Sequence, residues 1–192
     1  PTFLHEHLGY EIYRRAGIPA ARTAHAIVSL NGFGYGIYVL KEAIDARFLA
    51  RWYGEGNDEG NLYEQPCCGD FVYDPYFIEL KDEIVDERSR ADVLSLVNVI
   101  TDAPDDTFVA QVTEHLDLVG FMTGYAIDAL LVHWDGYSFN TNNFYLYHDP
   151  VSDRLRFIPH GMDQLLQDLY FLVDAWPNGR LAQRVREIPA LA

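Results

Sequence analysis

Residues 133–163, HWDGYSFNTNNFYLYHDPVSDRLRFIPHGMD, decide how the rest of the chain is read. Two short aromatic and branched runs, Phe144-Tyr145-Leu146-Tyr147 and Leu155-Arg156-Phe157-Ile158, flank the turn residues His148-Asp149-Pro150-Val151-Ser152-Asp153. That pattern predicts a β-hairpin whose turn is longer than two residues. Polar groups gather at both ends of this ribbon: His133, Asp135, Asn140, Asn142 and Asn143 before it, His160 and Asp163 after it. Immediately upstream, Leu116 to Val132 is apolar nearly all round, which predicts a buried helix running into the first polar cluster.

Working outward, Leu4, Leu8, Ile12 and Tyr13 recur at three-to-four spacing, predicting an amphipathic helix over Thr2 to Ala16 that ends at Gly17 and Pro19. Residues 24–45, AHAIVSLNGFGYGIYVLKEAID, place β-branched and aromatic residues on both sides of Asn31-Gly32, a strong hairpin signal. Gly54 to Gly69 is rich in Gly, Asn, Asp and Pro and reads as a surface loop, broken by Leu62-Tyr63 and tolerant of insertion. Ser89 followed by Asp92 resembles a capping box ahead of Val93, Leu96, Val97 and Ile100, so a helix is expected over about 89–101. A further helix after Pro104 carries Phe108, Val109, Val112 and His115. The closing Trp176 to Ala192 reads as helical with a Pro-Asn-Gly break, and no internal repeat or linker divides the chain.

The 192 residues, 49% apolar and 14% aromatic, suffice for one domain with a real core. A formal charge of -15 argues against nucleic acid, whose phosphates call for clustered Lys and Arg. No apolar run approaches the roughly 20 residues of a membrane span. Cys67 and Cys68 are adjacent, a geometry that rarely bridges, and lack the C-x2-C spacing of a zinc half-site. They are expected as two small loop residues.

The chemistry sits on the ribbon. Phosphoryl transfer requires a carboxylate that orients or deprotonates an acceptor hydroxyl, and oxygen ligands for a divalent cation. The protein-kinase pattern H-R-D-L-x-x-x-N, then a short ribbon, then a second Asp, matches His133, Asp135 and Asn140 with Trp134 in place of Arg, followed by Asp163. Asp135 takes the first role and Asp163 the second. Asn140 fits the kinase spacing, whereas Asn143 directly precedes the strand, so both are candidate metal ligands. Alternatively the same Asp, Asn and Gly residues simply build turns.

Together these residues resemble the spore-coat protein H (CotH) kinases, an atypical branch of the protein kinase-like fold. The resemblance runs through GIPAART, LNGFGYGIYVLKEAID, GNLYE, the Tyr76 to Lys81 segment YFIELK, HWDGYSFNTNNFYLY and FIPHGMD. It implies an α+β, protein kinase-like two-lobe architecture within a single domain over 1–192, with about 1–82 N-lobe-like and incomplete, and about 83–192 a helical lobe. It further implies transfer of the ATP γ-phosphate to protein serines, with Mg2+ or Mn2+, at the cell or spore surface or outside the cell. Asp135 would be catalytic, Asp163 with Asn143 or Asn140 would hold the metal, Glu42 would lie near the adenine, and Lys41 would stand in for the phosphate-binding lysine.

Two departures are visible. Where the family commonly shows Pro-Trp-Asp-x-Asp, this chain has Pro159-His160-Gly161-Met162-Asp163, and the family's basic strand ahead of the first helix has no counterpart here. Both favour the alternative of a non-catalytic pseudokinase, a protein-binding surface or coat module. A third reading, a metal hydrolase drawing on Asp135, Asp149, Asp153, Asp163 and His160, is opposed by the turn character of Asp149 and Asp153. The glycines 32, 34 and 36 form a tight turn more readily than a phosphate cradle, and Lys81 with Glu11 is a possible lobe-bridging pair.

Overall fold

The computed structural model describes residues 3–72, 78–82, 90–189 and 191. Among them the chain forms an α+β fold of seven helices and two antiparallel sheets. Helix α1 (His5–Arg15) is closed by Gly17 at φ 80°. It buries Gly9, Tyr10 and Tyr13, while Leu4, Leu8 and Ile12, expected as the inner face, are 46%, 45% and 38% exposed. The two tyrosines win the core because Ile18, Ala20, Ala21, Ile127, Met162 and Leu165 form a cluster on their side.

Strands β1 (Thr23–Leu30) and β2 (Phe33–Lys41) pair around Asn31-Gly32, both with positive φ, the conformation that an Asn-Gly two-residue hairpin requires. Helix α2 (Ala46–Tyr53) follows without having been foreseen. Asp45 caps it, its side chain accepting from the backbone N–H groups of Arg47 and Phe48.

The supposed loop around Leu62-Tyr63 contains β3 (Leu62–Glu64), an inner strand of the order β4-β3-β5-β6, with β4 (Glu79–Asp82), β5 (Phe144–Asp149) and β6 (Arg154–Pro159). Leu62 pairs with Tyr147 and Tyr63 with Leu146, and both β3 residues are buried, so this segment is core rather than a tolerant loop. Tyr76 and Phe77 of the YFIELK segment, and Ser89 of the expected capping box, lie outside the described residues.

Helices α3 (Ala91–Asp102), α4 (Asp105–His115) and α5 (Leu118–Leu131) precede the ribbon, and α7 (Arg180–Glu187) closes the fold with Leu181, Ala182 and Val185 buried. Between α5 and β5 lies the single turn α6 (Tyr137–Asn140). Helix α5 buries one face only: Val119 and Leu130 are 75% and 63% exposed, although every apolar residue of this helix was expected inside. Cys67 and Cys68, expected as two separate loop residues, are joined to each other by a disulfide. No helix of the described residues is long and apolar enough to cross a membrane.

Candidate active site

Helix α5 ends at Val132 in the left-handed conformation (φ 56°), which reverses the chain into His133. Thr141 and Asn143 are also left-handed, at φ 49° and 55°. For β-branched residues such backbone is costly and persists only where surrounding contacts over-determine it.

Asp135 is held within this loop. Its Oδ1 accepts from Asn140 Nδ2 at 2.7 Å and Asn142 Nδ2 at 3.3 Å, and its Oδ2 accepts from Asn143 Nδ2 at 2.8 Å. Asn143 Nδ2 also reaches the Asp135 carbonyl at 2.9 Å. Three amides therefore fix a half-buried carboxylate through their nitrogen ends. The side-chain oxygens of Asn140 and Asn143 are neutral groups of the kind that hard divalent cations take. The sequence left Asn140 and Asn143 as alternatives; the fold brings both to Asp135.

The second end of the ribbon closes on the first. The His160 N–H donates to the Asn143 carbonyl at 3.0 Å. Gly161, at φ 68°, lies so close that a Cβ there would stand 2.3 Å from Asn143 Cγ. Two residues on, within a 3-10 turn over Met162–Gln164, Asp163 is exposed and its carboxylate makes no hydrogen bond or ion pair among the described residues. Among those residues no three His, Cys, Asp or Glu side chains converge to hold a metal ion. A cation here would draw on Asp163, the asparagine oxygens and ligands supplied by its substrate.

Beside the ribbon a cleft of about 360 Å3 is lined by Tyr10, Lys41, Glu42, Lys81, Tyr145 and His160 among others. Lys41 and Lys81 are the only lysines of the chain, and both line this one cleft. Glu42 is committed: its carboxylate takes Arg51 Nη2 at 2.6 Å, Arg22 Nη2 at 2.7 Å and the Arg22 backbone N–H at 2.8 Å. Burial would raise its pKa, but these donors hold it below the ordinary range. Lys81 pairs with Glu64, not with Glu11, which is taken by Arg14 and Arg15. Glu64 also accepts from the Tyr145 hydroxyl at 2.7 Å.

His160 joins cleft and loop. Burial, helped by the Lys41 ammonium, drives its pKa down to about 4, so the ring is neutral near pH 7. His133 goes the other way: burial would lower it, but the Asp128 carboxylate bonded to its Nδ1 at 3.1 Å holds it above the usual value.

Asp128 was not singled out from the sequence, nor were Glu64 and Tyr145. The available signal for Asp128 was a lone carboxylate inside an apolar helix, five residues ahead of His133.

The family described as CotH kinase protein matches residues 1–170. Invasin CotH2 of Rhizopus delemar is 28% identical over an alignment of 162 residues that covers 78% of this chain and 27% of that protein, so the chain spans about a quarter of the relative's length.

Proposed function

Since the chain belongs to the CotH kinase family, we propose that it transfers the γ-phosphoryl group of ATP to serine hydroxyls of a protein substrate. The observation that carries this reading is the triple amide clamp on Asp135, next to a cleft that holds both lysines of a chain with net charge -15. Asp135 orients the serine hydroxyl and takes its proton as the oxygen attacks the γ-phosphorus, and the bond to the β–γ bridging oxygen breaks to release ADP. Asp163 with the side-chain oxygens of Asn143 and Asn140 would hold Mg2+ or Mn2+, which when bound neutralises charge on the phosphates.

Lys41 and Lys81 face the polyphosphate from the cleft wall. Glu42 holds the chain beside the adenine through Arg22 and Arg51 rather than contacting the base with its own carboxylate. In this reading the chain is one kinase-like domain over 1–192, with residues of about 1–82 forming an N-lobe-like part and 83–192 the helical lobe. The sheet β4-β3-β5-β6 crosses that division and ties the two parts together. A place at the cell or spore surface or outside the cell is in keeping with the name invasin carried by the relative.

The pseudokinase reading has one specific observation in its favour. The Gly161 position leaves no room for the carboxylate that the family commonly carries there, since any Cβ would run into Asn143. The test is transfer of label from ATP with Mn2+ to a serine-rich protein acceptor by the full-length protein, beside Asp135→Ala and Asp163→Ala. Transfer in the parent with a loss of roughly 100- to 10,000-fold in both variants is the expected result. No transfer, together with no thermal stabilisation by ATP, moves the assignment to the binding module.

A further inference from the structure

Asp128 is 7% exposed in an otherwise apolar helix, and a buried carboxylate persists only when donors surround it. Its donors come from three segments. The Tyr13 hydroxyl of α1 and His133 Nδ1 both reach Oδ1, and Ser138 Oγ reaches Oδ2 at 2.7 Å. The Asp128 carbonyl also accepts the His133 N–H at 2.8 Å. His133 lies two residues before Asp135 and Ser138 three residues after it, so one carboxylate grips the loop on both sides of the proposed base.

The same helix α1 that sends Tyr13 to Asp128 rests on the turn that carries Asp163. Gly9 sits so close that a Cβ there would be 2.4 Å from Leu165 Cδ1 and 3.0 Å from Met162 Sδ. Helix α1 thus touches both the anchor of the Asp135 loop and the mount of Asp163.

We propose that Asp128 is a positioning residue that fixes Asp135 through His133 and Ser138, and that through Tyr13 it sets the Asp135 loop against the Asp163 turn. The assignment of a kinetic role rests on the phosphotransfer reading; the ordering of the loop does not. A carboxylate suits the task because it offers acceptors only, and three donors converge on it. An amide of the same shape would turn an N–H towards one of them.

The experiment compares the full-length protein with Asp128→Asn, Ser138→Ala and Tyr13→Phe by two readouts. One is kcat and KM for ATP. The other is the side-chain amide NMR signals of Asn140 and Asn143, whose nitrogens bond to Asp135. Asp128→Asn is expected to lower kcat on the order of 10- to 100-fold, as loss of an outer partner of a reactive group does, to leave KM for ATP within about twofold, and to shift both amide signals. Ser138→Ala and Tyr13→Phe each remove one hydrogen bond and should cost about fivefold; Ser138→Ala carries the test if Asp128→Asn does not fold.

Unchanged kcat and unmoved amides in Asp128→Asn, in a parent that transfers phosphate, overturn the proposal. A parent without transfer sinks the phosphotransfer reading instead. The amides then decide the positioning role: displaced signals uphold it, and signals identical to the parent's reduce Asp128 to a satisfied core carboxylate.

Discussion

The β1–β2 hairpin and the β5–β6 ribbon share a topology and an aromatic, β-branched composition, yet one lies at the surface and the other in the core. Ile27, Phe33 and Tyr35 of the hairpin are 85%, 75% and 56% exposed, whereas Phe144, Leu146 and Ile158 of the ribbon are at most 1% exposed. The difference comes from neighbours rather than from the strands. The ribbon has β3 on its edge and α5 across its face, and Phe157 stacks on Phe144 at 5.2 Å while packing against Phe121 at 4.9 Å. Among the described residues the hairpin forms a two-stranded sheet of its own. Both present polar groups at their ends, but only the ribbon joins a buried body to the candidate carboxylates Asp135 and Asp163.

That contrast breaks most visibly on a large truncation in the ribbon. Phe144→Ala should cost about 3–5 kcal/mol, because it empties a packed aromatic cluster of Phe71, Tyr137 and Phe157. Urea unfolding of this variant beside the parent reads the loss directly. A cost below about 1 kcal/mol would mean that the ribbon is not the structural centre.

The next effect sits where the two regions meet, at His160 and Lys41. An imidazole whose folded pKa, about 4, lies below its unfolded value near 6.5 supports the fold above that unfolded value. The support is lost as pH falls through the window from about 6.5 to about 4. Between pH 7 and 4.5 the loss should be roughly 2–3 kcal/mol, and His160→Phe should show that much less acid sensitivity than the parent. The comparison between variants matters because the depressed carboxyls of Glu64, Glu42 and Asp149 lose stability over part of the same range in both. Equal slopes in the two proteins would show that His160 protonates freely in the fold.

A smaller effect separates two glycines, one from each region. Gly32 in the hairpin turn and Gly161 after the ribbon both have left-handed backbone, at φ 83° and 68°, so the backbone alone should make alanine cost about 1–2 kcal/mol at either. Only at Gly161 would the new Cβ strike the Asn143 amide, since nothing lies within 4 Å of the corresponding point at Gly32. Phosphotransfer should therefore fall in Gly161→Ala and persist in Gly32→Ala at matched stability. Equal activities would remove the link between the Gly161 turn and Asn143.

How much of this was legible before the structure follows from the range over which each feature is encoded. Both hairpins could be read because their turns are local: Asn31-Gly32 in one, the polar run 148–153 in the other. Strand β3 could not, because three residues in a Gly- and Asn-rich stretch become a strand only by pairing with β4 and β5, the latter some eighty residues away. Helix α2 was legible in principle from Asp45 and the spacing of Phe48, Leu49 and Trp52, and was hidden by the β-rich sequence that precedes it. At the site, Asp135 and its asparagines lie within nine residues and were visible as one cluster. Asp128 was not: two of its donors, His133 and Ser138, lie within ten residues of it, but the third, Tyr13, is 115 positions away.

The smallest expected effect tests whether the hairpin surface is as free as it looks. Ile27→Ser and Phe33→Ser remove apolar side chains that are 85% and 75% exposed, so each should change stability by no more than about 0.5 kcal/mol. Strand propensity argues for a slight loss, since isoleucine and phenylalanine favour extended backbone. Chemical unfolding of both variants of the full-length protein measures it. A cost above about 1.5 kcal/mol, the scale of burying such a side chain, would mean that the hairpin face is covered when the protein is in solution. The contrast with the ribbon would then be one of which partner buries each hairpin, not of whether it is buried.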